Sequence, residues 1–191
     1  MRKNGVWLFL AVVFIVLMAG CQLNGDVVSK ERPATGFEGI ITGNSADINV
    51  YPGREYKVIV TTEEKIQDKI LTEVRGNILN IESKGTFSSK ELKIDVYMPV
   101  LKAITVKGSG DVKVHNGSVP DLEINISGSG NIDARNYQVE DVNITSTGSG
   151  DARIWVTETL NGTSSGSGNV LFKGSPRMNV RVSGSGDVKP L

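Results

Sequence analysis

Five phrases of almost the same wording, "VKGSGDVKV", "ISGSGNIDA", "STGSGDARI", "SSGSGNVLF" and "VSGSGDVKP", recur in the second half of the chain. They limit its fold more than any other feature. Their first glycines are Gly108, Gly128, Gly148, Gly166 and Gly184, spaced by 20, 20, 18 and 18 residues, and a fixed period of that size marks an architecture of stacked repeats. Two residues before these glycines stand Val106, Ile126, Ser146, Ser164 and Val182, and four before stand Ile104, Ile124, Ile144, Gly162 and Val180. Four residues after them stand Val112, Ile132, Ala152, Val170 and Val188. Both arms alternate with period two, which is the signature of strands with one buried face. The same columns are apolar in nearly every repeat, so the strands are expected to stack in register around one interior. The expectation is an all-β fold, a short parallel β-helix with coils of 18–20 residues and an irregular N-terminal cap.

The Gly-Ser-Gly corners pair Gly108 with Gly110, Gly128 with Gly130, Gly148 with Gly150, Gly166 with Gly168, and Gly184 with Gly186. Glycine suits them because it tolerates positive φ and lets neighbouring coils approach with no Cβ between them. After each corner comes a polar residue, in the order Asp111, Asn131, Asp151, Asn169, Asp187. Stacked at about 4.8 Å, adjacent carboxylates would repel, whereas an Asn between two Asp side chains can hydrogen-bond to both. This column is therefore expected to be a structural ladder. An antiparallel sandwich with glycine hairpins is the competing fold, but it leaves the alternation of charge unexplained. A leucine-rich repeat lacks its leucine and asparagine framework here.

The first residues bear on location. Arg2 and Lys3 precede the apolar run "VWLFLAVVFIVLMAG", which suits the core of a signal peptide, and the run ends at Ala19-Gly20-Cys21, the only cysteine of the chain. This resembles a bacterial lipoprotein signal, in which Cys21 takes a diacylglyceryl group and residues 1–20 are removed. The expected organisation is a signal peptide at 1–20, a lipidated Cys21 with a flexible tether to Gly36, and one β-helical domain over 37–191. Removing 1–20 takes away Arg2 and Lys3 but no acid, leaving 19 basic and 21 acidic residues and a net charge of −2. So balanced a chain offers nucleic acid no attractive field. With Cys21 lipidated and His115 the lone histidine, thiol chemistry and a zinc site have no ligands to draw on. No metal and no cofactor is expected; the expected partners are the membrane, through the lipid, and an envelope glycan or protein.

Upstream of the regular coils, "GFEGIITGNSADINVYPGREYKVIV" reads as a degenerate coil with Asn44-Ser45-Ala46-Asp47 at its corner. "TTEEKIQDKI" suggests a short helical turn, "LTEVRGNILNIES" a hairpin about Arg75-Gly76-Asn77, and "KELKIDVYMPV" a further strand, together capping the first coil. The order "FEGIITGNSADINV", "EYKVIV", "VRGNILNIES", "IDVYMPVLKAITVKGSGDVKV" and the later corners resembles the bacterial envelope family called "putative auto-transporter adhesin, head GIN domain", over about residues 37–190. The resemblance implies a right-handed parallel β-helix, an adhesive role and no catalytic residues.

Two chemical alternatives compete with scaffolding. Parallel β-helices also carry polysaccharide lyases and hydrolases, and Asp111 and Asp151, two coils apart, would stand about 9.6 Å from each other, near the separation in an inverting glycosidase. Calcium-binding solenoids use Asp in every turn, but their period is nine and Asn alternates here. Trp155 and Tyr137 are the candidate ligand contacts, with Trp155 expected to stack between Arg135 and Lys173. The four sequons at Asn116, Asn125, Asn143 and Asn161 follow from strands rich in Ser, Thr and Asn.

Overall fold

The computed structural model describes residues 26–191, so the expected signal peptide at 1–20 and the lipidated Cys21 lie outside the described residues. The fold is all-β. In chain order the strands are β1 (Val27–Arg32), β2 (Gly39–Thr42), β3 (Asp47–Pro52), β4 (Lys57–Glu63), β5 (Ile70–Arg75), β6 (Ile78–Ser83), β7 (Leu92–Met98), β8 (Ala103–Val106), β9 (Val112–Val114), β10 (Gly117–Ile126), β11 (Ile132–Ser146), β12 (Ala152–Ser164), β13 (Val170–Lys173), β14 (Arg177–Val182) and β15 (Val188–Pro190), with a 3-10 turn at Glu64–Lys69.

All 15 strands belong to one sheet that folds back on itself into two walls, because β11 and β12 are long enough to run through both. The first wall runs β1, β4, β7, β3, β9, the first residues of β11 and β12, β13 and β15. Along the second lie β5, β6, β2, β8, β10, the last residues of β11 and β12, and β14. The repeat is visible as parallel pairing: Ile104 lies beside Ile124, Ile124 beside Ile144, and Ala152 beside Val170. Inward residues of both walls, among them Ile48, Ile94, Ile104, Ile124, Ile132 and Ile154, form one buried cluster. In the last described coil Met178 and Val182, in inward columns, are exposed.

Corner glycines are required by contact, not by φ. Backbone at positive φ is confined to Gly36, Gly76, Gly85, Gly162 and Gly174 among the described residues, so the expectation that the corners need positive φ is corrected. A Cβ on Gly128 would stand 2.0 Å from the carbonyl oxygen of Gly108, and one on Gly148 would stand 2.0 Å from that of Gly128. The backbones are this close because the corners are hydrogen-bonded to each other, as from Ser129 N to Gly108 O and from Ser149 N to Gly128 O, both at 3.0 Å. Asn44 and Ala46 occupy the same places in the first coil, where no earlier coil leaves its carbonyl oxygen in the way.

The capping segment takes the expected elements: the 3-10 turn, an antiparallel β5–β6 hairpin turning at Gly76 with φ +61°, and β7. The tether is a correction. Residues 27–32 form β1, antiparallel to β4, with Val28 opposite Thr62 and Lys30 opposite Val60. Without β1, β4 would present an open edge; Lys30, Glu31 and Arg32 blunt the edge that β1 creates in turn. Arg32 Nη2 also donates to the carbonyl and side-chain oxygens of Gln67, each at 2.8 Å, fastening the strand to the 3-10 turn.

Candidate functional site

The polar ladder lies on the outer face of the first wall, one step past each corner. Asn131 donates from its backbone N and its Nδ2 to Asp111 Oδ1, at 2.8 and 2.9 Å, and its own Oδ1 accepts from Asp151 N at 2.8 Å. Asn169 repeats the pattern toward Asp151, at 2.8 and 3.2 Å, and accepts from Asp187 N at 3.0 Å. The alternation of Asp and Asn thus has a direct physical cause: each carboxylate accepts and each amide does both. The ladder also extends one coil earlier than the repeat indicates, because Asp47 Oδ1 accepts from Asp111 N at 3.3 Å. That contact brings two carboxylates together, and Lys93 stands on the far side of Asp47 in the same column.

The neighbouring column reads Asp95, Asn49, Lys113, Asp133, Arg153, Leu171, Lys189 across the wall. Opposite charges meet in it and like charges do not. Asp133 is clasped by Arg135 through two bonds, Nε to Oδ1 at 2.9 Å and Nη2 to Oδ2 at 2.8 Å, and these hold its carboxyl below the usual range. An open groove of about 570 Å³ runs along the two columns, edged by Lys90, Lys93, Lys113 and Arg153. A third column is aromatic: Tyr51 stacks on Tyr97 at 4.8 Å and on His115 at 4.2 Å between ring centres. Burial, then the Asp95 carboxylate, pushes the Tyr51 hydroxyl up. Burial, then Lys113, pushes His115 down, favouring the neutral ring, whose Nε2 lies 3.2 Å from Asn49 Oδ1. This stack was not read from the sequence, because Tyr97, Tyr51 and His115 are brought side by side only by the pairing of β7, β3 and β9. Aromatic residues at the ends of "DVY", "NVY" and "KVH", each after an inward Val, were the available signal.

Both candidate ligand contacts change meaning in the structure. Tyr137 is 1% exposed, and its hydroxyl donates to Leu101 O at 3.1 Å, so it offers no surface to a ligand. Relative to β12, β11 carries three extra residues, Arg135, Asn136 and Tyr137, between Ala134 and Gln138. This irregularity turns the tyrosine inward over Gly117, where an added Cβ would meet its ring at 2.8 Å. It also removes Arg135 from beside Trp155, whose pairing partners are Gln138 and Lys173. Among the described residues Lys173 is the cation over the indole, with Nζ 3.7 Å from the ring centre; the expected sandwich with Arg135 is corrected. Coils of 20 and 18 residues differ in length here, and equal counting from the corners misplaces this column.

A further group escaped the sequence reading. Glu63 is 5% exposed and its carboxylate accepts from Lys90 N at 2.9 Å and from the hydroxyl of Ser89. These bonds, that from Lys90 foremost, hold its pKa at about 2. They pin the segment 84–91 across the corner of the first coil.

Asp111 and Asp151 take the same role two coils apart, each accepting from the backbone N and Nδ2 of the next asparagine; their other neighbours differ, Asp47 lying beside Asp111 and Arg153 beside Asp151.

Comparison with known proteins is consistent with this geometry. No curated protein matches the chain. A crystal structure described as a putative adhesin from Bacteroides fragilis is 22% identical over 90% of this chain and 100% of its own, with a TM-score of 0.59, and shares the fold. Others are described as a putative lipid binding protein from Parabacteroides distasonis (20% identity, 88% and 98% coverage, TM-score 0.49) and a putative cell adhesion protein from Clostridium sporogenes (14%, 86% and 99%, 0.49). The family described as "Putative auto-transporter adhesin, head GIN domain" matches residues 36–117 and 107–176. With most of its length matched, the chain belongs to that family.

Proposed function

We propose that this chain is a lipid-anchored protein of the bacterial cell envelope whose stacked coils make a right-handed parallel β-helix, acting as a non-catalytic module for binding or adhesion. The observation that carries this reading is the ladder: Asp111 and Asp151 use a carboxylate oxygen to hold the next coil. A carboxylate committed to two donors in this way is a structural member, and proton transfer would break the bonds that keep the coils in register. Support for an envelope location comes from the family, whose description is that of an adhesin, and from the "LMAGC" sequence ending at Cys21.

The test is the triple variant Asp111→Asn, Asp151→Asn, Asp187→Asn, assayed with the parent for turnover of acidic and neutral polysaccharides and for binding to envelope glycans. Asn keeps an acceptor at each step, so the variant is expected to fold and to bind as the parent does. Turnover by the parent that the variant abolishes would sink the non-catalytic reading in favour of a carbohydrate-active enzyme.

A further inference from the structure

A second concavity, of about 430 Å³, lies at the corner of the first coil, on the side away from Gly108 and Gly110. Its walls are Asn44 and Ser45 of the corner and Ser83, Thr86, Phe87 and Ser89 of the end of β6 and the segment 84–91, among others. None of the nine lining residues is ionisable, whereas the ladder groove is edged by lysines, an arginine and aspartates. Two residues of the lining bury a polar atom that finds no partner among the described residues: Asn44 Nδ2 and Ser83 Oγ. Asn44 is 7% exposed. Its Oδ1 is fully used, accepting from Ala46 N at 3.0 Å and Thr42 Oγ1 at 3.1 Å, so the amide is fixed with its donor unspent. Phe87 adds an aromatic side chain, half-buried, with Lys69 Nζ 5.6 Å from its ring centre.

We infer that this concavity is a subsite for one sugar unit of an uncharged glycan. The chemistry selects that class in three ways. No side chain of the lining is charged, and Lys69 Nζ stands over the Phe87 ring outside that lining, so a carboxylate or a cation in the concavity finds no counterion in its wall, and burying either unpaired is costly. An aromatic face packs against the C–H surface of a pyranose. Hydroxyl and amide groups then pair with the sugar hydroxyls, which accept from the unspent Asn44 donor and exchange bonds with Ser83, as buried polar groups require. The size falls within the range of small-molecule sites. Glu63 contributes without touching the sugar, because its bonds to Ser89 and Lys90 hold the wall that carries Phe87. The inference rests on the binding-module reading and gives it a ligand class and a place.

The experiment is saturation-transfer NMR and titration of the full chain in detergent with the methyl glycosides of glucose, galactose, mannose and N-acetylglucosamine, alongside glucuronic acid. The parent is expected to bind at least one neutral glycoside and not glucuronic acid. Phe87→Ala and Ser83→Ala are each expected to weaken that binding about tenfold or more, through loss of the stacking face or a hydrogen bond, while Asp111→Asn on the ladder leaves it unchanged. Should Phe87→Ala fail to fold, Ser83→Ala carries the test alone. Binding of a neutral glycoside that neither variant weakens would overturn this subsite yet leave the binding-module reading standing. Silence from all four neutral glycosides, or preference for glucuronic acid, would overturn the assignment of ligand class.

Discussion

Asn131 is held on both sides, donating to Asp111 and accepting from Asp151, and that double role is what an aspartate cannot reproduce. Asn131→Asp would join the Asp47–Asp111 pair to Asp151 as a run of four carboxylates in adjacent coils and lose the Nδ2 donor. It is expected to lower stability at pH 7 by about 1 kcal/mol or more, a deficit visible as a fall in Tm. Mutual repulsion raises carboxyl pKa values in the folded state, so the electrostatic part of the deficit should shrink as pH falls toward about 4, the ordinary carboxylate value, and be lost below it. A Tm equal to the parent's at pH 7 would contradict the ladder. The corners make an equally local prediction. Gly128→Ala drives a Cβ to 2.0 Å from Gly108 O, and separating two hydrogen-bonded backbones is expected to cost about 3 kcal/mol or more. Gly43→Ala, with nothing within 4 Å of the new carbon, should stay within about 0.5 kcal/mol of the parent when both variants are unfolded in urea.

At the level of the element, the segment 84–91 owes its place to Glu63. A carboxylate whose folded pKa is depressed contributes stability that is present above its unfolded pKa and lost as pH falls toward the folded value. For Glu63 the window runs from about 4.3, the ordinary value, down to about 2. Glu63→Gln is therefore expected to melt below the parent at pH 7 and to converge with it as pH approaches 2. Amide hydrogen exchange at Lys90, whose N–H bonds to Glu63 Oε1, should quicken in the variant at neutral pH. Equal exchange at pH 7 would show that the segment is held by something else.

For the molecule as a whole, β1 bears on the lipid anchor proposed at Cys21. A tether to Gly36 would give the domain 15 residues of slack after Cys21; with β1 beginning at Val27, five residues separate the cysteine from the sheet. At about 3.5 Å per residue, a lipid carried on Cys21 would keep the capped end within about 20 Å of the membrane surface. Cys21→Ser, which cannot carry the thioether-linked lipid, is expected to shift the protein out of the membrane fraction or leave it unprocessed, as read by fractionation and intact mass. A variant fully processed and still membrane-bound would refute the anchor.

The parallel pairing of the repeats and the Asp–Asn hydrogen bonds were legible in the sequence because they follow from periodicity: Val112, Ile132 and Ala152 repeat a position, and a position repeated in register is a contact repeated in space. The cap was legible in its elements and not in its pairing, since "VVSKER" is as polar as a linker and becomes a strand only where β4 leaves an edge beside it. Tyr137 and Trp155 lie where the coils differ in length. There the count of residues says that extra chain exists, and only packing decides that it turns a tyrosine into the interior and leaves the tryptophan to Lys173. The aromatic column, the pinning by Glu63 and the uncharged pocket join residues far apart in the chain, from Asn44 to Ser83 and from Tyr51 to Tyr97 and His115. Local sequence determines which side of a strand a residue faces; which neighbour it meets there is decided when the sheet closes, because the irregular cap follows no period that would set its pairing in advance.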